Sequence, residues 1–118
     1  MEKDHRKIVI IGAGVVGSTF AYTLMQSGLA HEIVMLDIDP KRVMGEVLDM
    51  NHGIAFVPPV ELRAGTYDDC RDAAIIVITA GMKRRPGQDR LELVQNNVKV
   101  IKGIMEEIPQ RTREAIIL

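Results

Sequence analysis

Lys7-Ile8-Val9-Ile10-Ile11-Gly12-Ala13-Gly14-Val15-Val16-Gly17 constrains the fold of this chain more than any other stretch. Residues of strand character feed straight into three glycines spaced G-x-G-x-x-G, and apolar residues then recur at helical spacing. A second apolar run, Ile33-Val34-Met35-Leu36, ends on Asp37, twenty residues beyond Gly17. Glycine-rich turns are common. One that closes a strand, opens a helix and precedes a strand-ending acid is the mark of a βαβ unit built around a nucleotide.

Each glycine has its own reason. Gly12 permits a sharp exit from the strand, Gly14 lets a phosphate approach a backbone that has no Cβ, and Gly17 lets the helix pack closely. The first amides of that helix lack intrahelical acceptors and sit at the positive end of its dipole, which suits a pyrophosphate. Asp37 is placed to accept from both hydroxyls of an adenosine ribose. Its charge opposes a 2′-phosphate, so the pattern reads as NAD rather than NADP, a preference that Lys41 and Arg42 soften. The plainer alternative is a turn that serves packing alone. Strand, helix and acid together favour the nucleotide site.

Strands and helices alternate along the rest of the chain. Strands are expected at residues 7–11, 32–37, 60–64, 74–79 and 115–118. The first helix carries Val16, Phe20 and Leu24 on one face and stops near Gly28. The second starts with Asp39 as cap and Pro40 at its first position, and Val43, Val47 and Met50 form its stripe. Pro58-Pro59 prevents its continuation. The third runs from Arg90 or Leu91 to about Ile108, with Val94, Val98, Ile101, Met105 and Ile108 as its stripe and Pro109 as its stop. The fourth strand is apolar enough for burial on both faces. The fold class is α/β: a Rossmann-type doubly wound parallel sheet of order 3-2-1-4-5, truncated at about the fifth strand. Residues 1–118 read as one incomplete dinucleotide-binding domain, a fragment without repeats or linkers.

Composition removes other classes. A chain of 118 residues can bury a core of its own. A net charge of −1, with two Tyr, two Phe and no Trp, gives no reason to expect nucleic acid or an anionic membrane as partner. No apolar run approaches the ~20 residues of a membrane span, and the charged start lacks a signal peptide's apolar stretch. The lone Cys70 cannot form an internal disulfide and fits a reducing cytoplasm. Among Asp68, Asp69 and Asp72 it reads as a structural thiol rather than a reactive one. No metal site is expected.

Thr79-Ala80-Gly81-Met82-Lys83-Arg84-Arg85-Pro86-Gly87-Gln88-Asp89-Arg90 is the second informative stretch. Four cations in eight residues leave a buried strand on the ligand side of the sheet, and arginine grips carboxylates through paired hydrogen bonds. Lys83 and Arg85 read as solvated charges, whereas Arg84 and Arg90 read as candidates for an anionic substrate.

With these residues in view, the chain resembles the L-lactate/malate dehydrogenase family along essentially all its length. The likeness is carried by residues 12–17, by Gly45-Glu46-Val47-Leu48-Asp49-Met50-Asn51-His52-Gly53, by Gly65-Thr66-Tyr67-Asp68-Asp69-Cys70 and by residues 79–97. Asp49-Met50-Asn51-His52-Gly53 and Leu91-Glu92-Leu93-Val94-Gln95-Asn96-Asn97 are similar to bacterial lactate dehydrogenases more than to malate dehydrogenases. The resemblance implies that Gly12, Gly14 and Gly17 hold the NAD pyrophosphate, with Val16 lining the site. It places Asp37 on the adenine ribose, Arg42 and Tyr67 beside the adenosine half, and Gly81 and Met82 along the cofactor. The loop carrying Pro86-Gly87 would be a mobile lid, and Arg90 would polarise the substrate carbonyl as hydride arrives. A small 2-oxo or 2-hydroxy acid substrate and a homo-oligomer, tetramer or dimer, are implied as well.

Arg84 departs from the lactate pattern, which has glutamine at this substrate-distinguishing position. Arginine suits the second carboxylate of oxaloacetate, whereas a pyruvate methyl would leave it unpaired under a closed lid. Lactate is the favoured reading, with malate the alternative. By the same resemblance, the catalytic histidine, its aspartate and the arginine that binds the substrate carboxylate come beyond residue 118. His52 reads as a helix-end residue, and His5 and His31 as surface residues, so none is assigned as the general acid/base. The chain alone is then expected to be inactive. A non-catalytic nucleotide-binding module stays open. A methyltransferase or flavoprotein with a similar turn fits only the first 37 residues.

Overall fold

The computed structural model describes residues 4–118. Five parallel strands, β1 (Asp4–Ile11), β2 (Glu32–Leu36), β3 (Glu61–Ala64), β4 (Ala73–Ile78) and β5 (Ile116–Ile117), form one sheet in the order β3-β2-β1-β4-β5. Helices α1 (Val15–Ser27), α2 (Pro40–Asn51) and α3 (Arg90–Glu107) connect them. Both the doubly wound α/β class and the strand order match the expectation from sequence. Asp37 and Thr79 lie just past their strands rather than inside them. The last strand is shorter than residues 115–118, although Leu118 still exchanges hydrogen bonds with Ile76 and Ile78.

The central strands are buried on both faces. α1 and α2 close one face over Ile8, Ile10, Ile33 and Met35, while α3 closes the other over Val9, Val34 and Ile76. α2 follows its sequence signals. The Asp39 carboxylate accepts from the Lys41 and Arg42 amides, Pro40 opens the helix, and Val43, Val47 and Met50 are buried.

α1 and α3 present different faces to the sheet from those expected. In α1, Gly17, Ala21 and Met25 are buried, Leu24 is half-buried, and Val16 and Phe20 are exposed. Near the glycine turn the contact is so close that small residues, Gly17 and Ala21, must line it, and Met25 fills the wider space further along. In α3, Val100 and Ile104 pack on the sheet and Ile108 follows, whereas Val94, Val98, Ile101 and Met105 expose 39–60% of their surface. Both sides of α3 are apolar. The side that faces inward also carries Asn97, which holds a loop described below.

A charged cluster crosses the α3 side of β1, β2 and β3. Lys7 is 4% exposed, and its ammonium lies 2.6 Å from Asp72 and 3.5 Å from Asp69. Arg63 bridges Glu32 at 2.8 Å and Asp69 at 2.5 Å. Burial opposes the charge on Lys7, but the Asp72 hydrogen bond and the surrounding carboxylates raise its pKa. Burial likewise opposes the charge on Asp69, yet the Arg63 and Thr66 hydrogen bonds hold its carboxyl below the ordinary value.

Cys70 is fully buried beside this cluster, and burial, with the charge of Asp69, pushes its thiol up to about 11. A thiol-specific reagent at neutral pH is therefore expected to leave the folded chain unmodified and to label it fully in urea. Labelling of the native chain at the rate of a free thiol would contradict that burial. No helix among the described residues is long and apolar enough to cross a membrane.

Candidate dinucleotide site

The three glycines answer to three different constraints. Gly12 has φ of 118°, a left-handed conformation that glycine adopts freely. Its amide donates to the Leu36 carbonyl at 2.7 Å, which fastens the turn to the end of β2. Gly14 is the N-cap of α1. A Cβ there would meet nothing within 4 Å, so this is the open side of the turn. Gly17 is the crowded one: a Cβ would stand 1.8 Å from the Gly12 carbonyl oxygen and 2.6 Å from Thr79 Oγ1. The first turn of α1 carries no acidic residue, so its positive end meets no carboxylate of its own. Val16 lies in that turn, 69% exposed.

Asp37 does more than the sequence suggested. Its Oδ2 accepts from the Ala13 amide at 2.7 Å and its Oδ1 from the Asp39 amide at 3.0 Å. The carboxylate therefore shapes the glycine turn as well as facing it. Two oxygens offer about four acceptor directions, which leaves capacity for two further donors. Arg42 Nη1 stands 3.9 Å from Oδ2. Tyr67 opens a 3-10 segment, Tyr67–Asp72, that follows β3. Its ring packs partly into the core, with the Arg111 guanidinium 5.7 Å from its centre. Burial, with the charge of Glu107, raises the phenol pKa and keeps it protonated.

The loop after β4 is internally ordered. The Met82 amide donates to Asn97 Oδ1 at 2.7 Å, so α3 pins the start of the loop. Further on, Arg85, Pro86, Gly87 and Gln88 form a turn in which the Gln88 amide donates to the Arg85 carbonyl at 3.0 Å and Gly87 has φ of 78°. Gln88 Oε1 accepts from the Arg85 amide at 2.9 Å, and Arg84 Nε donates to the Gln88 carbonyl at 3.0 Å. Asp89 caps α3 through the Leu91 amide, and Arg90 is the first residue of that helix.

Gly12, Gly14, Asp37, Tyr67, Gly81 and Met82 thus follow the carboxyl ends of four adjacent strands, where ligands bind in such sheets. Arg84 and Arg90 leave the sheet at this same end and are exposed. Among the described residues, neither is hydrogen-bonded or ion-paired to the glycine turn. His52 is the C-cap of α2, its amide donating to the Asp49 and Met50 carbonyls. A crossover helix runs back against its strands, so His52 lies at the far end of the sheet. His31 precedes β2 at that far end and is exposed, and the side chain of His5 lies outside the described residues. No group of His, Cys, Asp or Glu among the described residues could hold a metal ion. The structure also shows two contacts that sequence reasoning missed, Asn97 to Met82 and Thr79 to the turn. Each joins segments too far apart for local spacing to encode.

A glycine turn at a helix N-terminus, an acid at the next strand end and a parallel doubly wound sheet define a dinucleotide-binding domain. The chain belongs to the lactate/malate dehydrogenase family: the family described as lactate/malate dehydrogenase, NAD binding domain, matches residues 6–118. It is 49% identical to an L-lactate dehydrogenase of Acetivibrio thermocellus over 116 residues, 98% of this chain and 37% of that protein. Among solved structures it is similar to the minor L-lactate dehydrogenase of Enterococcus mundtii, with a TM-score of 0.91 and 37% identity over 95% of this chain and 36% of that one. It is also similar to Cryptosporidium parvum malate dehydrogenase, with a TM-score of 0.84 and 33% identity over 99% of this chain and 37% of that one. The chain spans little more than a third of the length of the relatives it matches. The cofactor of this family domain is NAD.

Proposed function

We propose that the chain is the cofactor-binding part of an NAD-dependent 2-hydroxy acid dehydrogenase, which as a whole protein interconverts L-lactate and pyruvate. The observation that carries the cofactor assignment is the turn around Gly12 and Gly14, open at Gly14 and held at the Ala13 amide by the Asp37 carboxylate. The pyrophosphate is assigned to the Gly12, Gly14 and Gly17 turn, with Val16 lining it, the adenine ribose to Asp37, and the adenosine flanks to Arg42 and Tyr67. The Gly81 and Met82 backbone is assigned to the cofactor's side. Bound NADH supplies the hydride. Arg90 is assigned to polarise the substrate carbonyl, and the loop of residues 82–89 to exclude water from it. Arg84 supports a second reading, malate and oxaloacetate, because its guanidinium suits bidentate pairing with a further carboxylate.

None of the three histidines is assigned to proton transfer, and the catalytic domain is assigned to the part of the relatives that this chain does not span. Residues 1–118 are then a cofactor domain without turnover of its own. The whole protein is assigned to the cytoplasm, in keeping with a buried reduced thiol, and to a homo-oligomer, as the family resemblance implies. Titration of the chain with NADH and NADPH tests the core of the proposal. NADH is expected to bind, with NADPH roughly tenfold or more weaker because a phosphate dianion meets Asp37. Pyruvate and oxaloacetate are expected not to turn over. Equal affinity for both cofactors would remove the role of Asp37, and turnover would overturn the assignment of the chain as inactive.

A further inference from the structure

We propose that Thr79 is a positioning residue for the dinucleotide, acting through the Gly12 carbonyl rather than by touching the cofactor. Thr79 follows β4, 67 residues beyond Gly12 in sequence, yet it meets that turn at three points. Its amide donates to the Ile11 carbonyl at 2.9 Å, which continues the β1–β4 ladder one residue past the strand end. Its hydroxyl donates to the Gly12 carbonyl at 3.1 Å, with the Ile11 carbonyl at 3.4 Å. The same oxygen would stand 2.7 Å from a Cβ at Gly12 and 2.6 Å from one at Gly17.

The turn is therefore held from two sides. Asp37, beyond β2, grips the Ala13 amide, and the Leu36 carbonyl takes the Gly12 amide. Thr79, beyond β4, grips the Gly12 carbonyl. The peptide between Gly12 and Ala13 is thus fixed at both its carbonyl and its amide, and its orientation sets the path of the backbone toward Gly14. A rigid peptide here presents the helix amides to a phosphate without further ordering. The hydroxyl also explains part of the glycine pattern, because it occupies the space that a methyl group at residue 12 or 17 would need.

The inference rests on the assignment of the glycine turn as the pyrophosphate cradle, and its test separates the two. NADH affinity, unfolding midpoint and amide hydrogen exchange are compared for the 118-residue chain and its Thr79→Val and Thr79→Ser variants. Valine keeps the shape and removes the donor, and serine keeps the donor. Thr79→Val is expected to weaken NADH binding about fivefold, as loss of one hydrogen bond implies, and to speed exchange at Gly12 and Ala13. Thr79→Ser is expected to restore both toward wild type. NADH affinity unchanged in Thr79→Val, whether or not its midpoint falls, would overturn the positioning role while leaving the cradle assignment intact. Weakening in Thr79→Ser equal to that in Thr79→Val would overturn it too. Failure of the folded wild-type chain to bind NADH would overturn both.

Discussion

Gly17→Ala is expected to destabilise the chain by about 3 kcal/mol or more, the upper end for overpacking a site that cannot relax. The added Cβ would stand 1.8 Å from a carbonyl oxygen and 2.9 Å from its carbon, both in the Gly12 backbone. Rotation of a side chain cannot relieve that clash. The helix must lift from the turn, and lifting it moves the amides assigned above to the pyrophosphate. Gly14→Ala supplies the contrast. Its Cβ would meet nothing and its φ of −74° is ordinary for alanine, so stability should stay within about 0.5 kcal/mol. NADH affinity should nevertheless fall about tenfold or more, because the methyl group occupies the open side of the turn. Urea unfolding and NADH titration of both variants check the pair. A stable Gly17→Ala variant would contradict the packing, and undiminished NADH affinity in Gly14→Ala would contradict the cradle.

The second large effect is expected at the opposite side of the sheet from the turn's helix. Asp69→Ala should cost about 2 kcal/mol, the loss expected when a half-buried carboxylate that accepts charged hydrogen bonds is removed. Asp69 holds Arg63 at 2.5 Å and Lys7 at 3.5 Å, and it closes a capping box with Thr66. Its removal leaves Lys7, 4% exposed, with Asp72 as its remaining close partner. The pH dependence follows from the same contacts. The Asp69 carboxyl sits below its ordinary 3.8, so its contribution is full above that pH and is lost as pH falls through the lower folded value. Lys7 is raised above 10.5, so its contribution is full below that value and is lost as pH rises through the higher one. Wild-type stability should therefore decline at both extremes, with the acid decline shallower in Asp69→Ala. An acid limb of equal steepness in the two proteins would show that Asp69 is not the group responsible.

Sequence reasoning succeeded where the constraint is local. Asp39 and Pro40 start α2, because a cap and a missing N–H act on their own turn. Gly12 and Asp37 fall at the carboxyl edge of the sheet because each follows an apolar strand. The reading went astray where partners are distant. Val16, Phe20 and Leu24 have helical spacing, but close contact with Gly12 and Thr79 turned Gly17 and Ala21 inward instead. Apolarity cannot signal a contact that requires smallness, as at Gly17 and Ala21. In α3 two apolar sides compete, and periodicity alone does not rank them. The cluster of Lys7, Glu32, Arg63, Asp69 and Asp72 draws on segments up to 65 residues apart, so no window of sequence contains it. For the candidate site, the placement of residues 12, 14, 37 and 81 at one edge of the sheet was legible but their mutual bonds were not: Asp37 read as a ligand for ribose, not as a clamp on Ala13.

The loop between Met82 and Asp89 has a kinetic consequence. Three hydrogen bonds among Arg84, Arg85 and Gln88 fold its tip on itself, and Asn97 and the Asp89 cap fix its two ends. If the loop serves as the proposed lid, such a segment is expected to swing as one stiff flap, instead of searching the many shapes of a slack chain. Fixing one residue's backbone costs roughly 1–2 kcal/mol, so a tip folded in advance spares that cost at each movement. As a lid it would then be expected to close in the microsecond to millisecond range typical of such flaps, and not by the slower gathering of a disordered strand.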